Sequence, residues 1–397
     1  MKITINSKTL SAIIDRAAVC TMAKATIESL ESIQIDAYGG KVTAYAFNIV
    51  ESVLITFPAH SAEIIEEGTA RVKVSDWKKL LKADGMITIE SKDNMVKVSS
   101  AKKKSSVPAV LTDMPEYPDI EKAHDIFTAP VPELTEIFKR MNPCIAKDDT
   151  RPILCGYHIC GESDDAVRFY TLDGFHLMKK TSDLKVSEKF SVVIPEAVNK
   201  SLTKIAGKSG EVKVSADKKH TVFTGEDFTY IVRNIDGEPF NEEAAIPTSY
   251  TGKFQIDAVE VAKIVKDYYK TIGKGCASNN PIRLFVGESR AVLGMAFNGY
   301  STTDEVEITE GSIPASASRF PGYYAALFNV QYASDIFGTF DGNVTVKFRE
   351  YYTPMVVESD GYLGLLLPVA EKTDVARINT TNNLAVLAGI IDSVEVA

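Results

Sequence analysis

One short motif recurs at a constant interval: Ala46-Phe47-Asn48, Thr171-Leu172-Asp173 and Ala296-Phe297-Asn298 start 125 residues apart each time. Each triplet closes an alternating apolar stretch, over 41–46, 166–171 and 291–296. A spacing that repeats restricts the chain to a tandem architecture, because each copy must form the same supersecondary unit. Three copies of one module fit within 397 residues and leave a tail.

Other landmarks follow the same frame. Near the start of each third, a strand-like stretch leads into a helical pattern, with apolar residues at Leu10, Ile13 and Ile14, then Leu134, Ile137 and Phe138, then Val261, Ile264 and Val265. That 3.6-residue spacing predicts one apolar face per helix. A second helix is predicted in each third: after Ser75-Asp76, after an opening Pro195, and over 330–337. A glycine and a strand come next, at Gly85, Gly210 and Gly342, the last displaced by an insertion expected within 311–324. The fold class is therefore α+β, with three repeated domains, each of two helices packed on antiparallel sheet. Pro, Ser, Gly and charge interrupt the pattern near 122–125 and 247–252, which sets domains at 1–124, 125–248 and 249–372, with a C-terminal extension at 373–397.

Charge is distributed against its average. The chain has net charge -9, yet its six predicted helical segments hold 15 basic and 10 acidic side chains, so the remainder carries -14. Lys78 and Lys82 are four residues apart, Lys200 and Lys204 continue that spacing, and Lys263, Lys266 and Lys270 form a third stripe. All lie away from the apolar faces. Such stripes suit phosphate contact without base reading, since no helix-turn-helix or aromatic RNA-binding motif is present.

Catalytic and metal chemistry find no support in the motifs. The five histidines are scattered, no HExxH, P-loop, GxGxxG or GxSxG motif occurs, and Gly39-Gly40 and Asp173-Gly174 read as turns. Neither a catalytic site nor a metal or cofactor is expected. Five cysteines, at 20, 144, 155, 160 and 276, read as buried reduced thiols. Neither a membrane span nor a signal-peptide core is visible, so a cytoplasmic location is expected.

On this frame the chain resembles the bacterial DNA polymerase III beta subunit family, the replicative sliding clamps. The resemblance runs from Met1-Lys2-Ile3-Thr4 to about Val369. It is carried by Phe127-Thr128 leading to Leu134 and Phe138, by residues 151–156, Thr171 to Leu177, Val193-Ile194-Pro195, Ile235-Asp236-Gly237 and Leu365 to Val369. The family implies a head-to-tail homodimeric ring of six domains that encircles duplex DNA with its helices and tethers the replicative polymerase. A ring holds DNA topologically, so an acidic exterior is compatible with a few weak, sequence-independent inner contacts. The implied function is a processivity factor with no catalysis of its own; its partners would be duplex DNA, polymerase, a clamp loader and a second copy, but no membrane. The alternatives are a clamp-shaped scaffold that is not loaded on DNA and an enzyme using carboxylates in an interdomain cleft.

The resemblance also places sites. Lys24 stands where a DNA-contacting arginine is common, keeping charge without the bidentate fork. Lys147 matches a DNA-touching loop in which Asp148 departs from the usual polar residue. Together with Lys78, Lys82, Arg140, Lys200, Lys204, Lys263, Lys266 and Lys270, these form the expected DNA contact set. An apolar peptide pocket is implied at Leu154, Leu172, Gly174, Phe175, His176, Leu177, Phe240, Ala244, Ala245, Leu367, Pro368 and Val369. Here Leu172 replaces a threonine, Phe175-His176 a His-Arg pair, and Phe240 a proline. The dimer contact would use Val107, Tyr268, Thr271 and Ile272. Beyond the family pattern, Leu384, Leu387, Ile391 and Val394 predict an amphipathic tail helix, which either covers the pocket or packs on the third module.

Overall fold

The computed structural model describes residues 1–82, 85–162, 165–273, 275–277, 280–313, 320, 322–370 and 375–392. Their helices are α1 (Ser7–Ala17), α2 (Val74–Leu80), α3 (Val131–Met141), α4 (Ala197–Ala206), α5 (Ala258–Ile272), α6 (Val330–Phe337) and α7 (Val375–Leu387). All described strand pairs whose register is resolved run antiparallel. The chain divides into two compact units: Met1–Lys139, Ile159–Val167 and Asp183–Gly237 form the first; Arg140–His158, Arg168–Ser182 and Glu238–Ala397 form the second.

The repeat is written into the backbone. At the first residue of α1, α3 and α5, the amides of Ser7, Val131 and Ala258 each donate to a glycine carbonyl, that of Gly85, Gly210 and Gly342, at 2.9 Å every time. These are the three glycines spaced along the sequence, and each has positive φ, at 84°, 93° and 110°. A side chain there would be strained, whereas glycine adopts this region freely and brings its carbonyl to an otherwise orphaned helix amide. Asn6 and Asp257 add side-chain caps to α1 and α5, accepting from Lys8 N and Val259 N.

Each helix buries one stripe. In α1 this is Leu10, Ile13, Ile14 and Ala17; in α5 it is Val261, Ala262, Val265, Tyr268 and Ile272. Full burial of each large aliphatic side chain contributes about 1.5–3 kcal/mol. Two helix starts differ from the sequence signals. α2 begins at Val74, so Ser75 lies in its first turn rather than capping it, and Pro195 ends the strand Phe190–Pro195 while α4 starts at Ala197.

Successive repeats are joined by strand pairing. In unit 1, strand Glu51–Thr56 pairs with Phe228–Arg233 within an eight-stranded sheet. In unit 2, strand His176–Lys185 pairs with Tyr362–Leu366, bringing His176 opposite Leu366. A five-stranded sheet in unit 1 has Lys104–Pro108 at its edge.

The tail helix α7 packs on the strands Arg290–Phe297 and Tyr300–Ser312 of unit 2. Its buried face is Thr381, Leu384 and Ala385, continued by Ala388 against Phe285, Val292 and Phe320. Leu384 packs directly over Gly294, where even an added Cβ would only meet it at 3.4 Å, an ordinary van der Waals distance. The buried Arg283 reaches Thr381 Oγ1 at 3.2 Å. This corrects the expected stripe: Leu387 is 55% exposed, because Leu384, Ala385 and Ala388 share the face toward the sheet and Leu387 does not. Val394 lies outside the described residues. Of the two expectations for the tail, packing on the third module is the one observed.

The five cysteines are not joined in disulfides, but only Cys20, Cys144 and Cys160 are buried; Cys155 is half-buried and Cys276 exposed, which corrects the uniformly buried reading. Among the described residues no helix is long and apolar enough to cross a membrane, and no group of three His, Cys, Asp or Glu side chains has metal-binding geometry.

Replacing Leu384 by Ala is expected to destabilise unit 2 by about 2–4 kcal/mol, the cost of a buried leucine cavity. Urea unfolding would measure it, and a change below about 0.5 kcal/mol, the level of an ordinary surface substitution, would show that α7 is not part of the core.

Candidate peptide pocket and lysine cleft

The candidate pocket is built on a turn. Leu172 ends the strand Ala166–Leu172, and Asp173 then folds the chain back: its Oδ1 accepts from Phe175 N at 2.8 Å and His176 N at 3.0 Å, while its own amide donates to His176 O at 3.3 Å. Gly174 occupies the left-handed position at φ 94°. This local capping of backbone amides by an Asp side chain is the usual chemistry of such a turn. The turn is tied to the C-terminal strand of the third repeat by Leu367 N donating to Phe175 O at 3.0 Å, and Val369 N is fixed on Leu327 O at 2.7 Å.

Unit 2 gives the twelve expected pocket residues unequal exposure. Leu154, Leu172, His176 and Leu177 are buried; Leu367, Pro368, Val369 and Ala245 are half-buried; Gly174, Phe175, Phe240 and Ala244 are exposed. Phe240 is held from beneath, since Tyr170 Oη donates to its carbonyl at 2.8 Å. Phe175 is 57% exposed and stacks on Tyr332 of α6 at 5.8 Å. The two exposed phenylalanines leave apolar area available to a ligand.

Beneath Phe175 lies a charged cluster that motif reading missed. His176 Nδ1 is 2.8 Å from Asp173 Oδ1, its ring stacks on Tyr332 at 4.5 Å, and its Nε2 is 3.8 Å from Asp335 Oδ2. Burial pushes the Asp335 carboxyl up to about 6, with His176 opposing, Asp173 adding to the rise and Lys147 opposing. Burial also pushes Asp173 up, but the hydrogen bond and charge of His176 and the Phe175 and His176 amides outweigh it and hold Asp173 below the usual carboxylate range. The Tyr332 phenol is pushed up to about 12 by burial and by Asp173. The available signal was Tyr332 and Asp335, three apart on α6, but a helix with one charge gave no pattern to read. A second missed group flanks Ala244: Lys179 Nζ lies 2.8 Å from Glu243 and 3.3 Å from Glu242, and Arg168 joins them at 3.1 and 3.4 Å.

The expected DNA contacts separate into distinct environments. Lys78 of α2 and Lys200 and Lys204 of α4 line one cavity of about 450 Å³ in unit 1, together with Asp15, Thr21 and Ser201. Lys24, Lys82, Lys147, Lys263 and Lys266 are exposed. Lys270 pairs with Asp267 at 2.9 Å on its own helix. Arg140 is engaged within unit 2: Nη1 donates to Thr339 O at 3.0 Å, Nη2 pairs with Asp341, and the guanidinium lies over Tyr362 at 5.5 Å. Asp148 Oδ1 accepts from Thr150 N at 2.9 Å, so its carboxylate organises its own loop.

Of the expected dimer residues, Val107 sits half-buried on the edge strand Lys104–Pro108, which has a free side in its sheet. Tyr268 and Ile272 are interior to unit 2, the Tyr268 hydroxyl lying 2.6 Å from Asp304 Oδ2 and 3.0 Å from Leu293 O. Thr271 is exposed on the same helix.

The Asp335 shift has a definite sign. Because the folded state holds this proton more tightly than the unfolded chain, the associated stability is present below about pH 4 and lost as pH rises through about 6. Asp335→Asn is therefore expected to be neutral near pH 4 and to gain up to about 3 kcal/mol over the parent by pH 7.5. Urea unfolding across this range would check it; a difference independent of pH would contradict it.

The sequence model described as DNA polymerase III beta subunit, central domain, matches residues 128–240. A search of curated sequences finds no match. Among solved structures, the DNA polymerase sliding clamp from Bacillus subtilis is similar at TM-score 0.85 and 18% identity, covering 94% of this chain and 99% of that one. The DNA polymerase III subunit beta from Pseudomonas aeruginosa gives 0.84 and 16%, covering 94% and 100%. The Helicobacter pylori beta clamp, solved bound to a DNA ligase peptide, gives 0.78 and 17%, covering 93% and 100%. Residues 128–240 thus carry the central-domain pattern of DNA polymerase III beta subunits, and the chain as a whole has the fold of the bacterial sliding clamps.

Proposed function

We propose that this protein is a DNA sliding clamp: two copies close head to tail into a ring around duplex DNA, and peptides of the replicative polymerase, the clamp loader and other partners dock at the pocket of unit 2. The observation that carries the DNA part is the convergence of Lys78, Lys200 and Lys204, from two repeats of an acidic protein, on one cleft with Thr21 and Ser201, where they outnumber the carboxylates Asp15 and Glu51. Cations and hydroxyls suit phosphate oxygens and read no base edges. Lys24, Lys82, Lys147, Lys263, Lys266 and Lys270 extend this set. Arg140, already bonded to Thr339 and Asp341, serves first as a structural tie.

The peptide part rests on the exposed Phe175 beside the half-buried Leu367, and on the further exposed apolar side chain of Phe240 in the same unit. A relative with the same fold was solved with a DNA ligase peptide. An apolar peptide side chain set among these residues would displace water from both rings. In the ring, Val107 belongs to the edge that meets the second copy; the exposed Thr271 faces the partner, and Tyr268 and Ile272 stiffen that surface from inside. On this reading the protein has no catalytic role, and its activity is to keep a polymerase on its template.

Two measurements test the proposal. Substituting alanine for Lys78, Lys200 and Lys204 together is expected to flatten the dependence of log K on log salt for duplex DNA by up to about 2.7, since each lost phosphate contact removes about 0.9. An unchanged slope would remove these lysines from the DNA surface. Light scattering at micromolar concentration should give the mass of two chains, and a monomer mass would contradict the ring.

A further inference from the structure

The pocket turn of unit 2 has a counterpart in unit 1 that the family resemblance does not assign. Asn48 stands 125 residues before Asp173 and builds the same turn: its Oδ1 accepts from Val50 N at 3.2 Å and Glu51 N at 2.8 Å, and its amide donates to Glu51 O at 2.9 Å. Arg233 N donates to Val50 O at 2.8 Å, as Leu367 N does to Phe175 O. Tyr45 Oη lies 3.5 Å from Glu116 O, as Tyr170 Oη reaches Phe240 O. The strand after each turn then pairs with the closing strand of the following repeat. Four correspondences of this kind give the two turns the same local frame.

The unit 1 groove encloses about 470 Å³ and its walls include Phe47, Ile49, Val50, Pro118, Lys219 and Arg233. Ile49 is the informative residue. It sits at φ 81° where its counterpart is Gly174 at 94°, and among the described residues it is the one β-branched side chain with positive φ. A β-branched residue is rare in that region, and core packing does not compensate here, since Ile49 is 53% and Val50 41% exposed. The turn therefore presents two adjacent aliphatic side chains to solvent at a conformational cost. The groove is also lined by two cations, Lys219 and Arg233, and neither makes an ion pair among the described residues. Of the acidic residues at the groove, Glu51 is buried and bonded to Tyr230 and Asn48, while Glu116 and Asp236 are exposed on the rim.

We propose that this groove is a second docking site for a linear peptide, one that offers two adjacent apolar side chains to Ile49 and Val50 and an acidic side chain to Lys219 and Arg233. The inference rests on the peptide reading of the unit 2 pocket, because it carries that geometry over to the preceding repeat. Each chain would then present two peptide sites of different preference, so two partners could be held at once on one protomer. The apolar pair supplies the anchor and the carboxylate supplies direction along the groove.

Methyl NMR on the full chain separates the two readings. The probe is the synthetic peptide acetyl-Leu-Phe-Glu-Glu-amide, titrated into protein labelled at Ile, Leu and Val methyls. Saturable shifts at Ile49, Val50 and Ile231 are expected. They should persist in Leu172→Arg, which blocks the unit 2 pocket, and weaken on the order of fivefold in Arg233→Ser, the loss of one charge-assisted bond. Ile49→Gly keeps the backbone conformation seen at Gly174, and it should weaken the same response while leaving Leu172 and Leu177 unaffected. Shifts confined to Leu172 and Leu177 would overturn the second site and leave the pocket reading intact. Shifts at Ile49 without any at Leu172 would support the groove and count against the pocket. No saturable shift at Ile49 and Val50 overturns the inference.

Discussion

The pairing of one repeat's turn-bearing strand with the closing strand of the next repeat is the constraint on which the functional surfaces depend. In unit 2 it sets His176 opposite Leu366 and carries Leu367 onto the Phe175 carbonyl, so that the apolar residues 367–369 stand beside the turn. In unit 1 the same pairing sets Val232 opposite Glu51 and Arg233 onto Val50. A register slip of one residue would turn every one of these side chains to the opposite face. Site geometry and sheet continuity are therefore one property, secured by backbone hydrogen bonds that do not depend on side-chain identity.

That independence explains how a chain with 16–18% identity to solved clamps keeps their fold at TM-scores of 0.78 to 0.85. What the frame requires in this chain is a periodic apolar pattern, three glycines at positive φ, and an Asn or Asp at each turn. Gly85, Gly210 and Gly342 meet the second requirement through the same 2.9 Å bond to a helix amide. Around that frame the candidate pocket of this chain sets His176 between the carboxylates of Asp173 and Asp335.

These requirements are also the parts legible in the sequence. The triplet spacing, helix faces and spaced glycines each arise from local periodicity, so the α+β repeat could be read directly. The ends of α2 and α4 could not, because Ser75 and Pro195 are equally compatible with a first turn or a strand end, and tertiary packing decides between them. Spacing alone points Leu387 inward, whereas only the sheet surface under α7 determines which stripe of that helix is covered. Arg140 looks like a free helical cation until Thr339 and Asp341, about two hundred residues away, are brought to it. The same holds for Asp335: its raised pKa comes from burial beside His176, a pairing distant in sequence. Long-range polar partners leave no periodic trace.

A ring closed around DNA is held by topology, and topology is what should be measured. After loading with a cognate clamp loader and ATP, the protein would be washed in moderate salt on nicked circular DNA and on the same DNA linearised. Retention on the circle with loss from the free ends is the result the account predicts. Equal loss from both, with the dimer shown to be intact, would contradict it.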